Sequence, residues 1–335
     1  MMGFSPAWWL PGPNLQTLWG KFFRRKADLS TRVERITTPD GDFLDIHHLD
    51  ASPGAPLLVL LHGLEGSVRS HYIQGLLTEA SRRGWRAAVL IFRSCGDEAN
   101  RTRRFYHSGE TSDLQLALDH LMATFPASQI VLAGVSLGGN VALKFLGEQA
   151  GMVSPRIRAV AAVSVPYDLG QAADHIDRGF AKIYQQSFIN SLKNKATEKV
   201  GTFPDLLPRA EIASIRTIRE FDNRLTAPIH GFADADDYYR RSSSLGWLQD
   251  IRVDTLLLSA VDDPFLPAQV LEDVRLVAKS NHHLYVEFSA HGGHVGFVSG
   301  DSPFRPHYYM ERRVGDFLAS QLTRTEPAIH NGEGL

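Results

Sequence analysis

The stretch VLAGVSLGGN, residues 131–140, decides how this chain folds. Its first half is a continuous apolar run of the kind a strand buried on both faces needs, and the run breaks at two glycines that flank a serine. A helical pattern, VALKFL (141–146), follows at once. A serine placed between strand and helix, with Gly134 and Gly138 on either side, has the form of a nucleophile elbow. The glycines let strand and helix approach without side-chain collision, and the turn raises the serine hydroxyl at the C-terminal end of the strand. GxSxG by itself also fits a tight turn with no chemistry, so the rest of the chain has to decide what Ser136 does.

Working outward, the same rhythm repeats on both sides. Upstream, TRVERIT and FLDIHHL flank the turn PDGD and read as a hairpin around Asp40 and Gly41. PLLVLLHG (56–63), WRAAVLIF (85–92) and IRAVAAVSV (157–165) are further short apolar runs. Between them lie helical patterns, SHYIQGLLTEASRRG closed by Gly84 and DLQLALDHLMATF stopped by Pro126. Downstream, TLLLSAV (255–261) and HLYVEFSA (283–290) restore the strands, with a helix from about Pro267 to Ala278 and a last one around YMERRVGDFLASQL. Alternation of this kind implies an α/β fold with an open, mostly parallel sheet and helices on both faces.

The rhythm stops at Pro166 and resumes near Asp254. The intervening residues are helical in pattern and rich in aromatic side chains, too long for a loop. The chain therefore divides into an N-terminal aromatic arm (1–30), a core (31–165 and 251–323), an inserted helical cap (166–250) and a tail (324–335) with no apolar period.

Composition narrows the classes. A chain of 335 residues with 43% hydrophobic and 21% charged content has material for a sizeable core. Thirty-five basic against 37 acidic residues leave a net charge of −2, so no global field steers it toward nucleic acid. The single cysteine, Cys95, excludes an intrachain disulfide and fits a reducing, cytoplasmic setting. No window approaches the ~18 consecutive apolar residues of a spanning helix.

An elbow serine needs a base and an acid, and in this topology they follow at the ends of later strands in the order Ser, Asp, His. LLLSAVDDPFLP supplies Asp262 and Asp263. Asp263 is preferred, since a carboxylate that orients an imidazole should leave the strand into the turn set by Pro264. VEFSAHGGHVGF supplies His291 and His294, and His294 lies at the far end of the reach that Gly292 and Gly293 permit. For the oxyanion hole, one N–H belongs to Leu137, just after the nucleophile, and another to Leu64 in LLHGLEGS (60–67). His62 in that loop is read as shaping it rather than as a base.

These residues also carry a resemblance. HGLEGS, FRSCGDEAN, YHSGETSDL, GVSLGGN, TAPIHGF, DDPF and HGGHVGF occur in the order found in the YheT-like family of α/β hydrolases, and LPGPNLQTLW matches that family's N-terminal segment. The chain resembles the family from about Trp8 to the final helix. The resemblance implies a triad of Ser136, Asp263 and His294. It also implies action on acyl esters, since eukaryotic relatives cleave medium-chain acyl esters or phospholipids and some transfer acyl groups to alcohols. Two positions depart from the pattern: Asn14 where His is expected and Ser94 where Gly is expected.

The other signals have bland readings. His291 and His294 with His282 and His283 lack the ligand spacing of a zinc site, so neither metal nor cofactor is expected. Cys95 reads as a packed thiol with no positive helix terminus or histidine partner in view, and ADADDYY (233–239) as the start of a helix rather than a calcium loop. KFFRRK (21–26) with Trp8, Trp9 and Trp19 would suit either peripheral contact with a membrane surface or packing on the core. The expectation is a serine esterase for short- to medium-chain acyl groups. The alternatives are acyl transfer to an alcohol, or a non-catalytic ligand-binding protein on the same fold. Oligomeric state is not legible.

Overall fold

A computed structural model describes residues 3–25, 27 and 29–324 of the protein. Of the tail, Arg324 alone falls within that range, its guanidinium donating to Asp254 Oδ2 at 2.7 Å; residues 325–335 lie outside the described residues.

The apolar runs become an eight-stranded sheet. Its strands are β1 (Arg32–Thr37), β2 (Phe43–Leu49), β3 (Leu57–Leu61), β4 (Arg86–Ile91), β5 (Ile130–Val135), β6 (Ile157–Val163), β7 (Thr255–Ala260) and β8 (Leu284–Ser289), in the order β1-β2-β4-β3-β5-β6-β7-β8. β1 pairs antiparallel with β2, and β2 with β4, while every other neighbour is parallel. The central strands are buried at every position, which is why they read as continuous rather than alternating apolar runs. The edge strand β1 (RVERIT) is largely exposed and carries Arg32, Glu34 and Arg35, charges that discourage pairing with a further strand.

Helices cover the sheet. α1 (Pro13–Phe23) precedes it, and α2 (His71–Arg82), α3 (Ser112–Thr124) and α4 (Leu137–Gln149) connect the first strands. Between β6 and β7 the described residues form no strand. They form α5 (Leu169–Ile176), the long α6 (Lys182–Thr202), and the shorter α7 (Arg209–Ser214), α8 (Ile218–Phe221), α9 (Ala227–His230) and α10 (Ala235–Ser242). α11 (Ala268–Ser280) and α12 (Tyr309–Leu322) complete the chain. α2 packs on β4, α12 on β6 and β7, and the two on each other, while α4 lies on β3, β5 and β6 with α3 beside it. Leu57 to Leu61, Val131, Leu132 and Leu256 to Leu258 are essentially inaccessible and form one core. The helices between β6 and β7 instead gather several small clusters of their own. Among the described residues no helix is long and apolar enough to cross a membrane. ADADDYY begins α10, where the Asp234 side chain caps the helix by accepting the Asp237 N–H.

Parallel pairing brings the C-terminal ends of β5, β7 and β8 to one edge of the sheet, with Val135 opposite Val163 and Ala260 opposite Ser289. The residues that follow those ends form the site.

Candidate active site

Ser136 stands in the turn between β5 and α4 with φ 54° and ψ −121°, a conformation that costs a non-glycine residue about 1–3 kcal/mol. Its backbone is fixed on both sides: its N–H donates to the Val163 carbonyl at 2.8 Å, and its carbonyl accepts the Gly139 and Asn140 N–H groups. The glycines are required by contact. A Cβ on Gly134 would lie 2.4 Å from the Gly138 carbonyl oxygen, and one on Gly138 would lie 2.5 Å from that of Leu61. Asn140, the last residue of GVSLGGN, is fully buried. It donates to the Ser108 and Ser242 carbonyls and accepts the Ser244 N–H, tying the start of α4 to the end of the inserted helices.

The two acid and histidine pairs left open by the sequence separate cleanly. His294 is buried and lies between Asp263 and Ser136, its Nδ1 at 2.8 Å from Asp263 Oδ2 and its Nε2 at 3.1 Å from Ser136 Oγ. Asp263 is itself buried, and its other oxygen accepts the Phe265 N–H at 2.8 Å. The Phe265 ring stacks on the His294 imidazole with centroids 4.1 Å apart. Asp262 faces outward instead, where it pairs with the exposed His291 and accepts the Gly293 N–H. His283 pairs with Asp254 rather than entering this group.

The loop that presents His294 is tightly determined. Val295 and Phe297 both have positive φ (59° and 45°), and a Cβ on Gly293 would meet the Pro13 carbonyl oxygen at 2.4 Å. What holds the loop comes largely from α1, which sequence reading treated as an aromatic arm. Thr17 Oγ1 accepts the His294 N–H at 2.9 Å, and Gln16 bonds both the N–H and the carbonyl of Val298. Ser164, after β6, accepts the Val295 N–H.

The loop after β3 shows which amides remain available. Gly63 N–H donates to Tyr72 OH, Glu65 N–H to Tyr106 OH, Gly66 N–H to the Gly63 carbonyl and Ser67 N–H to Ser70 Oγ. The Leu64 N–H between them has no internal partner among the described residues, and neither has the Leu137 N–H at the first position of α4. Ser136, Leu64, Leu137 and His294 all line one cavity of about 760 Å³. His62 is fully buried with both ring nitrogens occupied, Nδ1 by the Gly63 carbonyl at 2.8 Å and Nε2 by the Phe92 N–H at 3.2 Å. Burial pushes its pKa down to about 4. It therefore shapes the loop as a neutral ring.

Glu65 is a site residue that sequence reading missed. Its Oε1 accepts from Tyr106 OH at 2.7 Å and from Lys195 Nζ at 2.8 Å, and its Oε2 accepts from Ser191 Oγ. Ser191 and Lys195 lie on α6, so the inserted helices grip the loop that carries Leu64. Lys195 Nζ also lies 3.4 Å from Cys95 Sγ, a cation that sequence reading did not place beside this thiol. Burial nevertheless pushes the Cys95 thiol up to about 11, so it is held as the neutral, packed group. Of the two departures, Asn14 accepts from Tyr184 OH on α6. Ser94 takes φ 62°, the left-handed conformation that explains an expected glycine, and donates to Asn100.

Comparison with known proteins agrees with this architecture. Residues 56–301 match the α/β hydrolase fold family. YheT of Escherichia coli strain K12, provisionally named an esterase, is 38% identical over 327 residues, covering 96% of this chain and 93% of that one. The mouse protein named phospholipase ABHD3 is 29% identical over 329 residues, covering 95% of this chain and 79% of its own. Among solved structures, the Pyrococcus furiosus esterase Pf2001 superposes with a TM-score of 0.59 at 18% identity, over 88% of this chain and 92% of that one, a likeness of fold.

Proposed function

The chain belongs to the YheT-like family of α/β hydrolases and is an ester hydrolase; from that premise, we propose that it cleaves carboxylic esters of short- to medium-chain acids through an acyl-enzyme on Ser136. The observation that carries this reading is the continuous chain from Ser136 Oγ through His294 to Asp263, opening into the same cavity as two amides with no internal partner. In the first step His294 Nε2 takes the hydroxyl proton as Ser136 Oγ bonds to the ester carbonyl carbon. The carbonyl π electrons move onto oxygen, where the Leu64 and Leu137 N–H groups receive the charge. Asp263 keeps the imidazole in the required tautomer and stabilises the imidazolium. Collapse breaks the bond to the alkoxide, which leaves with the proton from His294. Water, deprotonated by the same imidazole, then releases the acid and restores Ser136. The acyl preference is supported by the walls of the cavity, where Phe105, Phe188, Leu192, Phe221 and Ile218 supply apolar surface within the size range of small-ligand sites.

The test joins covalent labelling to a graded substrate series. A fluorophosphonate probe should modify Ser136 in the parent protein and leave Ser136→Ala unmodified. The same variant should lose roughly four to six orders of magnitude in kcat on p-nitrophenyl esters, since a triad acts as a unit. Parent-like turnover by folded Ser136→Ala protein would refute the assignment, and rates rising steadily with chains far beyond medium length would refute the acyl range.

A further inference from the structure

The mouth of the cavity has a composition that hydrolysis does not require. Two segments border it. One is the end of α1, Lys21-Phe22-Phe23-Arg24-Arg25, and the other is Arg178-Gly179-Phe180-Ala181-Lys182-Ile183 at the start of α6. They are neighbours, because Leu18, one helical turn before Phe22, packs against Ile176, Ala181 and Tyr184. Phe22, Phe180 and Ile183 line the cavity yet remain 63%, 53% and 61% exposed, and Phe23 beside them is 66% exposed. Four of the twelve exposed large hydrophobic residues among the described residues thus stand at or beside the rim of one opening, where isolated apolar residues would be scattered over a surface.

Charge completes the pattern. Five cations, Lys21, Arg24, Arg25, Arg178 and Lys182, stand in or beside these segments. Arg24 is neutralised by Glu311, and Lys182 approaches Asp177 at 3.9 Å. Lys21, Arg25 and Arg178 have no acidic partner among the described residues, so the rim is locally positive on a chain whose net charge is −2. Exposed phenylalanine and isoleucine interleaved with unneutralised lysine and arginine form the surface that an anionic bilayer attracts: the cations meet the headgroups and the rings enter the acyl boundary.

We propose that this rim docks the protein peripherally on an anionic lipid surface, with the cavity mouth facing the membrane so that an ester enters from the lipid phase. The route of the ester rests on the esterase reading, whereas the docking does not. The chemistry that recognises the surface is shared by any anionic phospholipid headgroup.

Sedimentation with vesicles tests docking apart from catalysis. The parent protein and Ser136→Ala should sediment equally with phosphatidylcholine vesicles containing phosphatidylglycerol, and at least about tenfold less with phosphatidylcholine alone or in high salt. Phe22→Glu with Ile183→Glu should reduce binding by about tenfold or more while the thermal transition stays put. Should that pair unfold, Lys21→Glu with Arg25→Glu, both on the surface, carries the same expectation. Equal binding by the folded charge or aromatic variants, or no binding by the parent, would overturn the proposal. So would a dimer that the variants dissolve without any vesicle binding by the parent, since that would assign the rim to a second copy. Loss of turnover in Ser136→Ala with vesicle binding intact is the expected pattern; parent-like turnover with binding intact would sink the esterase reading alone.

Discussion

The strand-end loops and the inserted helices line one cavity but are held in different ways. Ser136 and Asp263 sit on backbone that the sheet determines locally, at a strand end, with a glycine approach and an amide bonded to the next strand beside Ser136, while the His294 loop leans in addition on Thr17 and Gln16 of α1. The helices between β6 and β7 have small clusters of their own and attach to the core through side chains. Asn140 reaches Ser242 and Ser244, Lys195 and Ser191 reach Glu65, and Lys199 reaches Asn100 and the Thr102 and Arg104 carbonyls. Geometry set by backbone is lost only when the fold is lost. Geometry set by side-chain clasps can be loosened one contact at a time, so the two regions should respond differently to substitution.

The largest contrast lies within the strand-end loops. Asp263→Asn keeps the shape but offers His294 Nδ1 an amide in place of a carboxylate, and kcat should fall by about 10⁴. Asp262→Asn, one residue away, touches only the exposed His291 and the Gly293 N–H, and should change kcat by less than about tenfold. Steady-state kinetics on one p-nitrophenyl ester decides it: comparable losses in the two variants would mean that the acid has been assigned to the wrong aspartate.

The same contrast explains what was legible in the sequence. The sheet could be read because each central strand is buried on both faces, so its apolar run is unbroken in sequence. The candidate site could be read as far as its parts leave local marks: glycines around Ser136, the DDP turn, the HGGH loop. Contacts between distant segments leave no such mark. Thr17 supports His294 from 277 positions away, and Lys195 reaches Glu65 across 130. The cation beside Cys95 went unread because it stands 100 positions on, on a helix whose docking no local pattern records. Ser94 is the instructive middle case: an expected glycine hinted at positive φ, and the backbone takes that φ with serine in place.

The clasp on the Leu64 loop should give an intermediate effect. Lys195→Met removes a charged donor from Glu65 Oε1, and Glu65→Gln weakens the acceptor for Tyr106, Lys195 and Ser191 together. Full loss of one oxyanion donor costs about 10²–10³ in kcat, so displacement of the loop that carries it should cost about 10–100-fold, mainly in kcat with KM little changed. Because both variants break one clasp, the double variant should lose no more than the worse single one. Multiplied losses would show that Lys195 and Glu65 act on separate features, and would place the inserted helices outside the positioning of the loop.

The smallest expected effect concerns the inserted helices themselves. Asp222, after α8, accepts from Thr226 Oγ1 and Tyr239 OH, and burial raises its carboxyl from the ordinary 3.8 to about 6. The sign follows from linkage: with a folded pKa above the unfolded one, the native state binds the proton more tightly, so this group's contribution to stability falls as pH rises from about 4 to 6 and is constant above. Asp222→Asn removes the ionisation and should raise the thermal transition by roughly 2 °C near neutral pH, with the advantage shrinking to nothing near pH 4. Melting curves of parent and variant across that range check it. A constant difference at every pH would mean that hydrogen bonding rather than charge is what the substitution changed.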